Sequence, residues 1–219
     1  MFLHGDLLMN WKITAIICLI VFFVVFFGRL IGANIVSGKL VKHLYMNEID
    51  RFEQLRNSRL ASTFISKFNL RYIDLSKAIM EADEKQIESC VSELEKLPLT
   101  INQKSEIYSR CFYYYLSSEN YHNAKIYYKK NYDLDPDKYN YEMDRLYDIY
   151  IKKGNKYLDD TLEEFENAEM ENKAKCAALL SKIYENMNDK TKADEYLDFA
   201  AKYIEDLSAK AQKEDDHEQ

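Results

Sequence analysis

Three stretches decide the fold: IYSRCFYYYLSSENYHNAKIYY at 107–128, MDRLYDIYIKKGNKYLDDTLEEF at 143–165 and AALLSKIYENMNDKTKADEYLDFA at 177–200. They align on Tyr115, Tyr150 and Tyr184, which stand 35 and 34 residues apart. Seven places back lie Tyr108, Met143 and Ala177, and four places back lie Cys111, Leu146 and Leu180. Forward of each tyrosine runs a second apolar set: Ala124 and Tyr128; Leu158, Leu162 and Phe165; Ala193, Leu197 and Ala200. The first members of these sets are 34 and 35 apart, so the spacings reconcile if the middle unit's interhelix loop is one residue shorter. Apolar residues at i, i+3 or i+4, and i+7 make an amphipathic helix. Two such helices per unit, repeated at constant period, make an array of helical pairs.

Composition points the same way. The 219 residues hold only 5 Gly and 2 Pro, far too few for a sandwich or barrel, which needs turn residues every 8–12 positions. With 18 Tyr, 11 Phe and 47% hydrophobic residues, the chain is not disordered. An all-α protein remains.

In 105–136 the residues Tyr108, Cys111, Phe112, Tyr115, Tyr121, Ala124, Tyr128 and Pro136 resemble the framework of the tetratricopeptide repeat (TPR) family. The second unit adds Tyr150 followed by Gly154 at the family's tight-turn spacing, and the third adds Leu180, Ser181, Tyr184, Ala193, Leu197 and Ala200. The resemblance covers about 105–208 and implies an αα-hairpin solenoid. Phe112 and Tyr147 stand where the family places a small residue, and Asn131 and Glu119 where Ala and Gly are usual. Wider helix separation in the first two units is the expected consequence.

Upstream, Tyr72, Leu75 and Ile79, then Ile87, Cys90 or Val91, Leu94 and Leu97, predict a degenerate pair ending near Pro98, with a glycine-free loop at Glu81-Ala82-Asp83-Glu84. Residues 47–67 read as one further helix carrying Ile49, Phe52, Leu55 or Leu60, and Phe64; arrays of this kind need capping helices. The expected organisation is an anchor over 1–36, a basic stalk and capping helix over 37–67, a helical repeat domain over 68–208 and a disordered acidic tail over 209–219.

Ile13 to Gly28 is an uncharged run, ITAIICLIVFFVVFFG, that reaches about 24 Å as a helix against a hydrocarbon core of roughly 30 Å. Lys12 and Arg29 flank it, where snorkelling makes up the difference, and Trp11 sits where an interfacial aromatic belongs. A cleaved signal peptide fits less well: Arg29 follows the run at once, and Ile31-Gly32-Ala33 puts Ile where a small residue is required. A single transmembrane helix is therefore expected. Arg29, Lys39, Lys42 and Arg51 follow it, against Lys12 and the terminal amine before it, which favours a cytoplasmic C-terminal domain. Translation from Met9 would set Lys12 close to the amine, as in an inward-facing N-terminus, so an extracytoplasmic domain is the alternative. Residues 30–45 suit a surface-lying amphipathic helix or a stalk continuing the span. In either case His43 is expected to face solvent or headgroups.

Charge is uneven. Residues 37–71 carry seven basic residues against three acids, whereas 72–219 carry 21 against 33, within a net charge of −7. The acidic body disfavours nucleic acid, which needs clustered Lys and Arg. The basic collar of 37–71, which holds Lys39, Lys42, Arg51, Arg56, Arg59, Lys67 and Arg71, suits anionic lipid. Cys90, Cys111 and Cys176, an odd number without a close pair, read as buried apolar side chains and not as disulfides or a zinc site.

No catalytic constellation emerges. The four His are scattered, His122 in a loop and His217 in the acidic tail among them, and five scattered Gly build no phosphate loop. An enzyme, a metal, a cofactor and a small-molecule substrate are not expected. By family position the first helix of each pair would line a concave groove with Glu106, Ser109, Tyr113 and Leu116; Tyr141, Asp144, Asp148 and Ile151; and Lys175, Ala178, Lys182 and Glu185. Tyr113 and Tyr141 are the natural aromatic anchors. The carboxylate clamp of TPR cochaperones would need basic and amide side chains at Ser109, Tyr113, Arg145, Lys175 and Leu179, and only Lys175 fits clearly. With Asp144 and Asp148 nearby, a neutral or basic peptide is expected instead.

The resulting reading is a membrane-anchored TPR-like scaffold that binds a protein or peptide partner, confinement making modest affinity sufficient. Facing outward, the same array would resemble anchored TPR proteins that attend bacterial secretion translocons, with a chaperone-like role. A membrane-bound enzyme would require titratable residues converging in one pocket. The inward orientation predicts that a cysteine introduced by Gln212→Cys resists membrane-impermeant maleimide in intact cells and reacts once they are opened. Labelling of intact cells would reverse the orientation.

Overall fold

The computed structural model describes the backbone of residues 3–136 and 140–215; within these, the side chains of 3–14, 17, 20, 24, 25 and 207–215 lie outside the description. The described residues are all-helical and divide into two compact units, Met1–Leu99 and Thr100–Gln219. The helical pair read over 72–98 thus belongs to the unit that contains the apolar N-terminal helix.

The first unit holds α1 (Leu3–Tyr45), α2 (Ile49–Arg56), α3 (Arg59–Phe64), α4 (Lys67–Met80) and α5 (Glu84–Glu95). At 43 residues α1 is about 64 Å long. It is the one helix among the described residues long and apolar enough to cross a bilayer. It does not break after the uncharged run, so residues 30–45 form a stalk continuous with it. Val36, Leu40 and Leu44, spaced by one turn, are buried against Phe52, Ala61, Ile65, Leu70 and Ile73. At Gly32 the Phe64 ring comes so close that a Cβ would lie 2.5 Å from it. The segment read as one helix over 47–67 is two, because the Ser58 hydroxyl accepts from the Ala61 N–H and restarts the chain as α3. Ser66 and Asp83 cap α4 and α5 in the same way. His43 does not face solvent alone; it bonds the Glu48 carboxylate at 2.5 Å across the α1–α2 turn and holds that carboxyl below its usual range. Ion pairs tie the later helices together: Arg56 grips Asp74 with two donors, and Arg71 reaches both Asp74 and Glu93.

The second unit runs α6 (Ile101–Ser117), α7 (Tyr121–Tyr132), α8 (Tyr141–Leu146), a π-helical segment π1 (Tyr147–Lys152), α9 (Leu158–Asn167), α10 (Met170–Asn186) and α11 (Lys190–Asp215). A reciprocal capping box, Thr100 with Gln103, starts α6. Tyr108, Cys111, Phe112 and Tyr115 of α6 are buried with Ala124 and Tyr127 of α7, and the Tyr115 and Tyr127 rings stack at 5.6 Å. Ile149, Leu179 and Ile183 form the next cluster, and Leu180, Tyr184 and Ala193 the last. Leu197, read as part of that last apolar face, is 52% exposed; Tyr196 turns inward instead and stacks on Tyr184 at 5.6 Å. Helical backbone continues past Ser208 to Asp215, where a charged tail was expected.

The one-residue slip around Tyr150 has a different cause from a shortened loop. The helices ending at Tyr45, Met80 and Asn186 close with a six-to-one bond, Glu48 to His43, Asp83 to Ala78 and Asp189 to Tyr184. In the middle pair the Gly154 N–H reaches back to the Asp148 carbonyl, one residue further. The helix widens in π1, and Ile149, fully buried, takes the place that Tyr115 and Tyr184 hold in their own pairs, so its spacing to Leu158 equals theirs to Ala124 and Ala193. The Ile149 carbonyl is satisfied by Asn186 Nδ2 at 2.8 Å, and the same amide bonds the Gly154 carbonyl at 3.0 Å.

Turns are made without glycine: Asn47, Ala82, Glu119, Lys153 and Asn188 all have positive φ. An L residue with a Cβ is disfavoured there by about 1–2 kcal/mol. Ala82→Gly should therefore raise stability by about 0.5–1 kcal/mol. Asn186→Ala should lower it by about 1–3 kcal/mol, since two carbonyls lose their donor. Chemical denaturation of the full chain in detergent measures both, and opposite signs would refute the account of these turns.

Candidate functional site

The second unit carries a cleft of about 410 Å³ between α6, α7 and α8. Ile101 and Ser105 of α6 form one wall, Tyr128, Asn131 and Tyr132 of α7 the next, and Asn140 to Asp144 the third, with Leu134 to Pro136 beside them. The walls follow from the local sequence. Tyr128 and Tyr132 are one turn apart on α7, and their rings stack at 6.3 Å. Asn140 accepts from the Met143 N–H and so starts α8 with Tyr141 and Glu142 at its first turn.

Tyrosine sets the geometry. The Tyr128 ring lies flat on Tyr147, centroids 3.7 Å apart and planes within 6°, which pins π1 to α7. Its hydroxyl donates to Asp144 Oδ1 at 2.6 Å; burial, and then this carboxylate, push the phenol well above its ordinary value, so it stays a donor. Asn131 Nδ2 points at Met143 Sδ at 3.1 Å and also donates to Ser109 Oγ at 3.2 Å. Three carboxylates line the cleft, Asp135, Glu142 and Asp144, and no Lys or Arg does among the described residues.

Behind the cleft Arg145 is buried. It donates to Glu142 at 2.6 Å and Glu164 at 2.5 Å while its guanidinium covers the Tyr141 ring at 5.2 Å. Burial is the largest single influence on its pKa and lowers it, but Glu164 and Glu142 together outweigh burial and raise it overall. One cation thus orients a wall carboxylate and a wall ring together. Its Nε has no partner among the described residues. Cys176 lies near the same carboxylates, and burial, then Glu164, pushes its thiol up to about 11.

Of the residues expected to line a groove, Tyr141 and Asp144 do line this cleft. Tyr113 is 39% exposed, and its phenol is raised first by burial and then by the charge of Glu142, which places it beside the α8 wall. Leu116 is half-buried on α6. Asp148 does not face a groove: it is buried, accepts from the Lys156 N–H at 3.1 Å, and its carboxylate fills the space a Cβ at residue 154 would need. Lys175 and Lys182 pair with Glu171 and Glu185 on α10, and neither lines the cleft. At the other end of the chain Arg29, Lys39 and Lys42 are exposed on α1, whereas the side chains of Trp11 and Lys12 lie outside the described residues. Tyr128, Tyr132, Asn131 and Glu142 were missed, although two tyrosines one turn apart on the second helix of a pair could have signalled a ring face turned toward the next pair. Comparison with protein-family models, with curated proteins and with solved structures gives no match for this chain.

Arg145→Ala should destabilise the second unit by about 2 kcal/mol, less than a fully buried pair would, because Glu142 and Glu164 are about half exposed and rehydrate. Tyr128→Phe should cost about 1 kcal/mol while keeping the ring stack. Urea unfolding checks both, and equal losses would refute the distinct roles given to charge and ring.

Proposed function

We propose that the chain is a single-span membrane scaffold whose helical pairs form a TPR-like array, and that the α6–α7–α8 cleft holds a neutral or basic segment of a protein partner. The observation that supports this most directly is the chemistry of the cleft: tyrosine rings and three carboxylates, with no cation among its described lining. A lysine or arginine side chain entering it gains cation–π contact with rings and charge attraction from the walls. An acidic segment meets repulsion. Tyrosine suits this task because it presents a large rigid face at small rotamer cost. The positive-inside asymmetry favours a cytoplasmic partner, recruited to the membrane by α1.

The test is a panel of extended ten-residue peptides, matched in length and differing in charge, titrated by fluorescence anisotropy onto the full chain in neutral phosphatidylcholine nanodiscs. Lysine- and arginine-bearing peptides should bind, and glutamate-bearing ones should not. Tyr132→Ala with Tyr141→Ala should weaken binding about tenfold or more with the helical signal unchanged. Preference for acidic peptides, or indifference to both tyrosines, would overturn the assignment.

A further inference from the structure

The first unit carries a second groove, of about 390 Å³, lined by Arg56 of α2, Lys67, Leu70 and Arg71 of α4, and Glu93, Lys96 and Leu97 at the end of α5. Its charge is lopsided. Arg56 and Arg71 share Asp74 behind the groove, and Arg71 also meets Glu93. Four cations therefore face two carboxylates, and Lys67 and Lys96 have no carboxylate partner among the described residues. Leu70 and Leu97 give the same groove an apolar floor.

Position supplies the second observation. The uncharged run ends at Gly28, and Gly32 lies about 6 Å further along α1. A headgroup layer extends roughly 5–8 Å beyond the hydrocarbon core on each side. Gly32 is where the Phe64 ring of α3 rests on the helix. Phe64 therefore stands at headgroup depth, and Lys67 follows it within about 11 Å of chain. On α3 Leu60 shares a stripe with Phe64 and is 54% exposed, although the next residue, Ala61, is fully buried. Within the basic collar Lys39 and Lys42 stand apart from this groove: they are about 16 and 21 Å past Gly28 on a continuous helix, beyond the headgroups even at a typical tilt.

We propose that this groove holds the phosphate of an anionic phospholipid headgroup, with Leu60 dipping into the interfacial layer, so that the first unit lies on the bilayer around the root of α1. Lys67 and Lys96 supply the attraction, Arg56 and Arg71 complete a cationic rim, and Leu70 and Leu97 meet the glycerol and first methylenes of the lipid. The proposal rests on α1 as a membrane span; it narrows the lipid contact of the basic collar to the α3–α4 corner and extends it to Lys96 at the end of α5.

The experiment uses the full chain. Alkaline carbonate extraction of membranes comes first: release into the soluble fraction would overturn the span and this proposal with it. For a retained chain, a fluorophore on Leu60→Cys and one on Lys85→Cys, at the far end of the α4–α5 pair, are compared in nanodiscs carrying a headgroup nitroxide, with Cys18 replaced by alanine. Strong quenching at 60 and little at 85 is expected; equal quenching overturns the proposal and leaves the span intact. Lipids co-purifying from nanodiscs of seven parts phosphatidylcholine and three parts phosphatidylserine are then counted by native mass spectrometry. Lys67→Gln with Lys96→Gln should cut the phosphatidylserine preference about tenfold, whereas Lys39→Gln with Lys42→Gln should leave it unchanged. The reverse pattern, or loss of the phosphatidylserine preference on adding inorganic phosphate as free competitor at equal concentration, would show that the groove is not a headgroup site.

Discussion

The constraint on which both units depend is that helices must end without glycine. A helix leaves its last carbonyls unpaired, and the usual remedy turns the chain through a left-handed residue that lets two N–H groups fold back. Here Asn47, Ala82, Glu119, Lys153 and Asn188 take that conformation, each with a Cβ that disfavours it. The residues immediately after these turns hold them in place. Glu48, Asp83 and Asp189 return their N–H groups to the carbonyl five residues back, and the next helix begins within a residue or two of each. The strain is tolerable because every such turn is closed on both sides by packed helices. In the middle pair this arrangement extends to side chains: Asp148 fills the space beside Gly154, Asn186 covers the Ile149 carbonyl, and a π turn becomes the stable way to end the helix.

That turn also explains the limits of sequence reading. Period arithmetic locates a one-residue slip between Tyr115 and Tyr184, but the count is the same whether the loop after Tyr150 is short or Ile149 is the residue in register. Only the hydrogen bond from Gly154 to Asp148 separates them. The apolar positions of α6 and α10 were legible because burial repeats with the helix. Leu197 was misplaced because Tyr196, one residue earlier, has the larger ring and wins the inward position by stacking. The single helix expected over 47–67 failed for the opposite reason: one hydroxyl, Ser58, outweighs a continuous apolar pattern. In the cleft, Tyr141 and Asp144 were legible from the first helices, but its Tyr128 and Tyr132 wall was not, since a tyrosine on a second helix looks the same in sequence whether it packs or borders a cavity. Asp148 reads as an exposed acid until its backbone partner is known.

Along α1 one helix carries two kinds of apolar surface. Ile16, Leu19, Phe22, Phe23, Phe26 and Phe27 are exposed, while Val36, Leu40 and Leu44 are buried in the first unit. The helix runs through Gly28 and Gly32 without a turn between these parts. A continuous helix transmits orientation as well as position, so in the proposed span the tilt of α1 would fix how α3 and the start of α4 stand relative to the bilayer. A flexible linker would leave that contact to chance.

The charge distribution then gives the two units different chemistry. Over Met1–Leu99 the 12 basic residues nearly balance 11 acids, with the cations gathered over 37–71, whereas Thr100–Gln219 carries 18 basic residues against 26 acids. Each groove sharpens the bias of its own region: lysines without carboxylate partners in one, carboxylates around aromatic rings in the other. In the proposed reading, an anionic membrane would attract the cationic groove of the first unit and repel the acidic second unit. The same field would keep the cleft from adsorbing to lipid and draw basic segments toward it, so that both preferences would follow from one uneven distribution of charge.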